Sequence, residues 1–185
     1  MNLSFTKPIS LDEFLKRPED RCELVNGTLK PKVSPKFKHA QTQGYLYRLL
    51  HNWCEEQQIG QVLPEWGMIL KRNNTDWVPI PDLTYVSYQR LAAEWDEDAM
   101  CPVIPELVIE IISPGQTFGE LTEKAENYMK NGIDRVWIVD PQAQTVTVFR
   151  KEEGFNTLTK EKSLTDPLFP ELELSISDLF AKKKG

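Results

Sequence analysis

Two carboxylates carry most of the chemical information in this chain. The segment Leu107–Ser113 reads LVIEIIS, and every residue from Leu107 to Ile112 is apolar except Glu110. An unbroken apolar run is the pattern of a strand covered on both faces. A carboxylate at its centre has to be protonated, paired or bound to a cation, because an isolated buried charge is very costly. A buried Arg or Lys partner would satisfy Glu110 without any chemistry. Asp82 is the second group. It heads the strand-like segment IPDLTYV, behind Pro79 and Pro81, which keep the chain extended and out of a helix. Alone it reads as a turn residue after proline. On a period of two it shares a face with Thr84 and Val86. If the two strands pair, Asp82 and Glu110 meet on one side of a sheet, and close carboxylates repel unless a proton or cation lies between them. A hard, oxygen-seeking ion that keeps several waters, Mg²⁺ or Mn²⁺, suits such a pair.

The helical segment after Gly119 supplies a third group. Its apolar stripe is Leu121, Ala125, Tyr128 and Met129, and Lys124 borders that stripe one turn from Tyr128. Glu120, Glu123, Glu126 and Lys130 take the wet face. Lys124 can run its stem along the apolar seam and aim its ammonium at the sheet, although the same geometry describes a lysine that simply reaches water. An Asp, a central-strand Glu and a Lys are what metal-assisted phosphodiester hydrolysis requires. Metal lowers the pKa of a water and neutralises charge on the phosphate. The ammonium orients that water or stabilises the added negative charge. Tyr128, His39, Lys36 and Lys38 are further candidates for contacts with a phosphate or the site. For His39 the bland alternative is a local hydrogen bond at a helix start.

These groups need elements to position them. Ser10 and Glu13 have capping-box spacing ahead of a short helix. Arg21–Lys30 reads as two short strands about the turn pair Asn26-Gly27. From His39 to Gln58, Leu46, Leu49, Leu50 and Trp53 recur at helical spacing. Gln61–Leu70, Ile80–Ser87 and Glu106–Ser113 read as extended, Phe118–Asn131 as a helix stopped at Gly132, and Arg135–Asp140 as a strand. Thr145–Arg150 and Phe155–Lys160 alternate and are expected to pair as a hairpin, with a last short helix over Ser177–Ala181. The succession of helix, three strands, helix and strand is α/β, a mixed sheet flanked by helices.

With 185 residues, 40% hydrophobic and 27% charged, the chain suits one domain with its own core. No repeat or linker divides it. No apolar run approaches the ~20 residues of a membrane helix. The N-terminus lacks the features of a secretory signal. Three scattered cysteines, Cys22, Cys54 and Cys101, fit reduced thiols in the cytoplasm rather than a disulfide framework or a zinc site. The net charge of −6 weighs against nucleic-acid binding as a bulk property, but local patches decide. Lys30, Lys32, Lys36 and Lys38 form one candidate DNA-contact patch, and Lys182, Lys183 and Lys184 read as a tail. The acidic run Glu94–Asp98 stands apart from both.

Through RCELVNGTL, Ser34-Pro35 with His39, PIPDLTYVS, PELVIEIISPG, EKAENYMKNGIDRVWIVDP and PLFPELELSISDLF, the chain resembles the Uma-two-type family of restriction endonucleases. That family is a bacterial branch of the PD-(D/E)-x-K nucleases, and the resemblance covers most of the chain. It implies a restriction-endonuclease-like αβββαβ core, with an extra N-terminal hairpin and a C-terminal β-hairpin. It also implies Asp82 and Glu110 as metal ligands, Lys124 as the catalytic lysine, and Glu23 as an added acidic residue that binds or orients metal and water. The parent pattern places its lysine two residues after the acidic one, where Ile112 stands here, so Lys124 would take over from the following helix. Asn26-Gly27 replaces the family's usual Asp-Gly turn, and Pro170-Glu171 stands where a glycine is common. The expectation is a Mg²⁺- or Mn²⁺-dependent DNA endonuclease, with a homodimer favoured for double-strand cleavage. The runner-up is an inactive nuclease fold serving as a DNA-binding or protein-interaction scaffold. Nothing in the residues separates DNA from RNA as substrate.

Overall fold

The computed structural model describes residues 8–17 and 21–181. The tail lysines Lys182, Lys183 and Lys184 lie outside the described residues, as does most of the N-terminal stretch read for a signal. In chain order the elements are α1 (Leu11–Leu15), β1 (Cys22–Val25), β2 (Thr28–Pro31), α2 (Phe37–Gln57), β3 (Gly60–Pro64), β4 (Leu70–Arg72), β5 (Thr75–Val78), β6 (Leu83–Ser87), β7 (Leu107–Ile111), α3 (Phe118–Lys130), β8 (Arg135–Asp140), β9 (Thr145–Arg150), β10 (Gly154–Leu158), β11 (Ser163–Asp166), β12 (Phe169–Ser175) and α4 (Ile176–Leu179).

The main sheet runs β10-β9-β8-β7-β6-β3. Its one parallel pair is β7 with β8, joined by the crossover helix α3, and the other neighbours are antiparallel. Alternation along β7 explains the layers. Leu107, Ile109 and Ile111 join Leu46, Leu50 and Trp53 of α2 in one core. Val108 faces the other way, into a core with Leu121, Ala125 and Tyr128 of α3. All five β7 residues are therefore buried, as the apolar run requires. The order α2-β3-β6-β7-α3-β8 is the restriction-endonuclease-like core, and the added hairpins β1–β2 and β9–β10 stand where they were expected.

Several boundaries differ from the sequence reading. The extended stretch expected over Gln61–Leu70 stops at Pro64, because Glu65 takes a left-handed backbone with φ 54°. The strand expected from Ile80 begins at Leu83. Pro79 and Pro81 have no N–H to offer a ladder. An unexpected hairpin, β4–β5, turns through Asn73 and Asn74, both at positive φ, and joins the N-terminal hairpin in a four-stranded sheet β2-β1-β5-β4. Asparagine tolerates that conformation better than most residues.

The hairpin β11–β12 also goes beyond the sequence reading. It packs on the α2 side, where Phe169 meets the rings of Trp53, Tyr85 and Trp137 edge-on. Trp53 Nε1 donates to the Pro170 carbonyl at 2.8 Å. Asp166 ties this hairpin to the sheet, accepting from Arg135 Nε at 2.7 Å and Arg150 Nε at 3.1 Å. Among the described residues no helix is long and apolar enough to cross a membrane.

Candidate functional site

The antiparallel register of β6 and β7 pairs Leu83 with Ile109 and Thr84 with Val108. One step further along it, Asp82 comes alongside Glu110. Asp82 lies just before β6, and its side chain takes over from the ladder: Oδ2 accepts the Ile111 N–H at 2.6 Å. This bond satisfies a buried donor that the proline-bearing approach to β6 leaves without a backbone partner. Glu110 points to the α3 side. Its Oε1 accepts from the Tyr128 hydroxyl at 2.7 Å and lies 2.8 Å from Lys124 Nζ. Lys124 reaches this point because α3 is set by a capping box, Thr117 with Glu120, and docks by Leu121, Ala125 and Tyr128. The same ammonium donates to Glu23 Oε1 at 2.6 Å. Glu23 Oε1 also accepts the Ile80 N–H at 3.0 Å. The structure thus brings Glu23, Asp82, Glu110, Lys124 and Tyr128 into one cluster. The ordinary explanation of Glu110, a buried lysine partner, holds for the same lysine that the chemical reading selected.

His39 also belongs to the cluster. It sits in the first turn of α2, buried, with Nδ1 sharing a 2.9 Å hydrogen bond with Ser113 Oγ and Nε2 at 3.5 Å from Asp82 Oδ1. The four lysines read as one patch part company. Lys30 lines the central cleft, of about 330 Å³, with Asp82 and Glu110. Lys36 and Lys38 line a neighbouring pocket that shares His39, Ser113, Gly115 and Gln116 with that cleft, and Lys38 Nζ donates to Gln142 Oε1 at 3.1 Å. Lys32 goes to the centre, 3.1 Å from Asp82 Oδ1 and 2.9 Å from Glu65 Oε2.

Sequence reasoning missed this half of the site. Glu65 and Gln43 carried no periodic signal, and Lys32 looked like one of four equivalent surface lysines. Gln43 Nε2 donates to the Asp82 carbonyl at 3.0 Å and to Glu65 Oε1 at 3.2 Å.

The electrostatics follow from burial and crowding. Burial alone would push Asp82 up, but hydrogen bonding from His39, the Lys32 charge and the Ile111 N–H together hold it below the ordinary carboxylate value. Glu110 goes the other way. Burial pushes it up to about 7, with Lys124 opposing and the charges of Asp82 and Glu23 adding to the rise. Burial would lower Lys124 and Lys32, yet the carboxylates around each outweigh it and raise both, so both ammoniums stay charged.

A pH dependence of stability follows. An acid with a raised value holds its proton more tightly folded than unfolded. That advantage is complete below the unfolded value of 4.5 and is lost as pH climbs through about 7. In EDTA, Glu110→Gln should therefore gain on wild type between pH 5 and 8, by on the order of 3 kcal/mol. Urea denaturation at a series of pH values measures the difference, and parallel curves would rule out the raised value.

Among the described residues no three His, Cys, Asp or Glu side chains already converge as a metal-ligand set. Two adjacent carboxylates beside a cleft are nevertheless the donors that a small hard cation uses when it keeps several of its waters. Burial is the main cause of the rise of Glu110, and the repulsion that Asp82 and Glu23 add to it is what a cation between the carboxylates would relieve. The donor chemistry fits Mg²⁺ or Mn²⁺.

The Uma2 family, described as "Putative restriction endonuclease", matches residues 11–177. Among solved structures, the crystal structure of a "putative nuclease belonging to DUF820" from Anabaena variabilis ATCC 29413 is similar with a TM-score of 0.81. It is 29% identical, and the match covers 94% of this chain and 98% of that one. No curated protein matches the chain.

Proposed function

This chain belongs to the Uma2 family, and from that premise we propose that it is a metal-dependent endonuclease that hydrolyses phosphodiester bonds in DNA. The observation that carries the reading is the meeting of Asp82 and Glu110 beside a protonated Lys124 in one cleft. Asp82 and Glu110 would hold the Mg²⁺ or Mn²⁺. Bound there, such an ion supplies activation of water and neutralisation of charge on the scissile phosphate. The chain's own residues do the rest. The Ile111 N–H and His39 orient Asp82, and the Tyr128 hydroxyl orients Glu110. Lys124, raised and charged, has no lone pair to accept a proton. Its part is to orient the attacking water or to stabilise the added negative charge. Glu23 keeps that ammonium in place. Lys30, Lys36 and Lys38, around the cleft and its neighbouring pocket, would meet backbone phosphates. Cleavage of both strands by one small site per chain favours action as a homodimer.

The test is supercoiled plasmid incubated with the protein in Mg²⁺ or Mn²⁺, with EDTA as control. Nicked and linear product appearing only with metal is the expected result. A folded protein that leaves plasmid and linear duplex intact across both metals would shift the reading to a non-cleaving scaffold.

A further inference from the structure

We infer that Lys32 is a second catalytic lysine, which contacts the scissile phosphate from the Asp82 side, and that Glu65 is its positioning residue. The inference rests on the proposed nuclease activity and goes beyond it.

Of the three lysines that line the cleft, Lys30, Lys32 and Lys124, the last two are built alike. Lys124 Nζ bridges Glu110, at 2.8 Å, and the outer carboxylate Glu23, at 2.6 Å. Lys32 Nζ bridges Asp82, at 3.1 Å, and the outer carboxylate Glu65, at 2.9 Å. Their side chains are 14% and 13% exposed, and both line the same cleft. Each ammonium thus joins one central carboxylate to one peripheral carboxylate. When the central pair turns to a divalent cation, each lysine loses one partner and keeps the other. A charged ammonium tethered at the edge of the site is then free to donate to a phosphate oxygen on its own side.

The surroundings of Lys32 are more than a surface lysine needs. Its backbone N–H donates to the Arg21 carbonyl at 2.7 Å, which continues the β1–β2 pairing past Pro31 and directs the stem inward. Glu65 is placed with equal care. Its backbone is left-handed at φ 54°, its N–H donates to the Asp82 carbonyl at 3.3 Å, and its carboxylate takes contacts from Arg21, Lys32 and Gln43. A non-glycine residue held in that conformation has to be imposed by its neighbours. Here it aims the carboxylate at the Lys32 ammonium.

A simple counter-ion for Asp82 would share some of these contacts, so the experiment separates the two roles. Lys32→Met, Lys32→Arg, Glu65→Gln and the Lys32→Met/Glu65→Gln double variant are compared with wild type. Two readouts are taken: Mn²⁺ binding without DNA, from the electron paramagnetic resonance signal of free Mn²⁺, and kcat for plasmid nicking at saturating Mn²⁺. Lys32→Met should bind Mn²⁺ at least as tightly as wild type, because a competing cation on Asp82 is gone. Its nicking should nevertheless fall about 100-fold, the loss typical of one donor to transition-state charge. Lys32→Arg, which keeps the charge and the Glu65 pairing, should fall about 10-fold on the same scale, and it carries the test if Lys32→Met does not fold. Glu65→Gln should lower kcat in wild type and add nothing in the Lys32→Met background, which independent structural damage would not do.

Nicking by Lys32→Met within about 3-fold of wild type, well short of that donor's typical loss, would overturn the inference. So would loss of Mn²⁺ binding in parallel with nicking. Either result leaves the nuclease reading standing if wild type still cleaves, whereas a wild type that never cleaves sinks both.

Discussion

Asp82→Asn and Glu110→Gln should each reduce metal-dependent nicking by about 10³-fold or more while the chain stays folded. The size follows from what the charge at these positions does. Stabilisation of phosphodiester cleavage by a bound divalent cation is worth several kcal/mol, and each ~1.4 kcal/mol is tenfold in rate. The amides are chosen because they keep the local bonds. Asn at 82 still offers an oxygen to the Ile111 N–H, and Gln at 110 still accepts from the Tyr128 hydroxyl. Alanine at either place would strand a buried donor and confuse chemistry with stability. Circular dichroism melts check folding, and nicking rates across a Mg²⁺ series check function. If either amide variant cleaves within tenfold of wild type at saturating metal, the assignment of that carboxylate is wrong.

A large loss of stability is expected from a change away from the cleft. Asp166→Ala should destabilise the protein by about 3 kcal/mol, a fall in Tm of roughly 6–12 °C for a chain of this size. The Asp166 side chain is fully buried and joins two arginines from neighbouring strands, Arg135 of β8 and Arg150 of β9. Oδ1 also accepts the Leu168 N–H at 3.0 Å and so shapes the β11–β12 turn. Removing the carboxylate leaves both guanidiniums facing each other without their shared partner. Burial raises this acid, but the Arg135 bond, the Leu168 N–H and Arg150 outweigh it and hold it below its ordinary value. Its contribution is therefore present above the unfolded value and lost as pH falls through the folded one. Because Asp166 is not part of the cleft lining, nicking at 25 °C should be unchanged. A Tm drop below about 2 °C would show that the arginines find other partners.

The residues themselves determined what depends on local pattern. One charge in an otherwise apolar run identified Glu110, because a strand covered on both faces leaves no ordinary place for a carboxylate. The stripe of Leu121, Ala125 and Tyr128 put Lys124 on the border of α3, since helical spacing sets which side chains share a face. Asn26-Gly27 announced a hairpin, and both residues do take positive φ, 51° and 71°. Family-specific blocks along the chain carried the αβββαβ core and the family, both of which hold.

Tertiary structure decided what depends on contact between distant segments. Asp82 and Glu110 are 28 residues apart, and only the β6–β7 register sets them side by side. Lys30, Lys32, Lys36 and Lys38 look interchangeable along the chain. Of these four, Lys32 is the one that reaches Asp82, because pairing with β1 continues past Pro31 and Glu65 waits opposite it. Glu65 itself arrives through a backbone turn that no periodicity signals. Side-chain spacing repeats within a helix or strand, so it can be read from neighbours in sequence. The partner of a charge across a cleft is set by how strands pair and helices dock, and no local pattern records that.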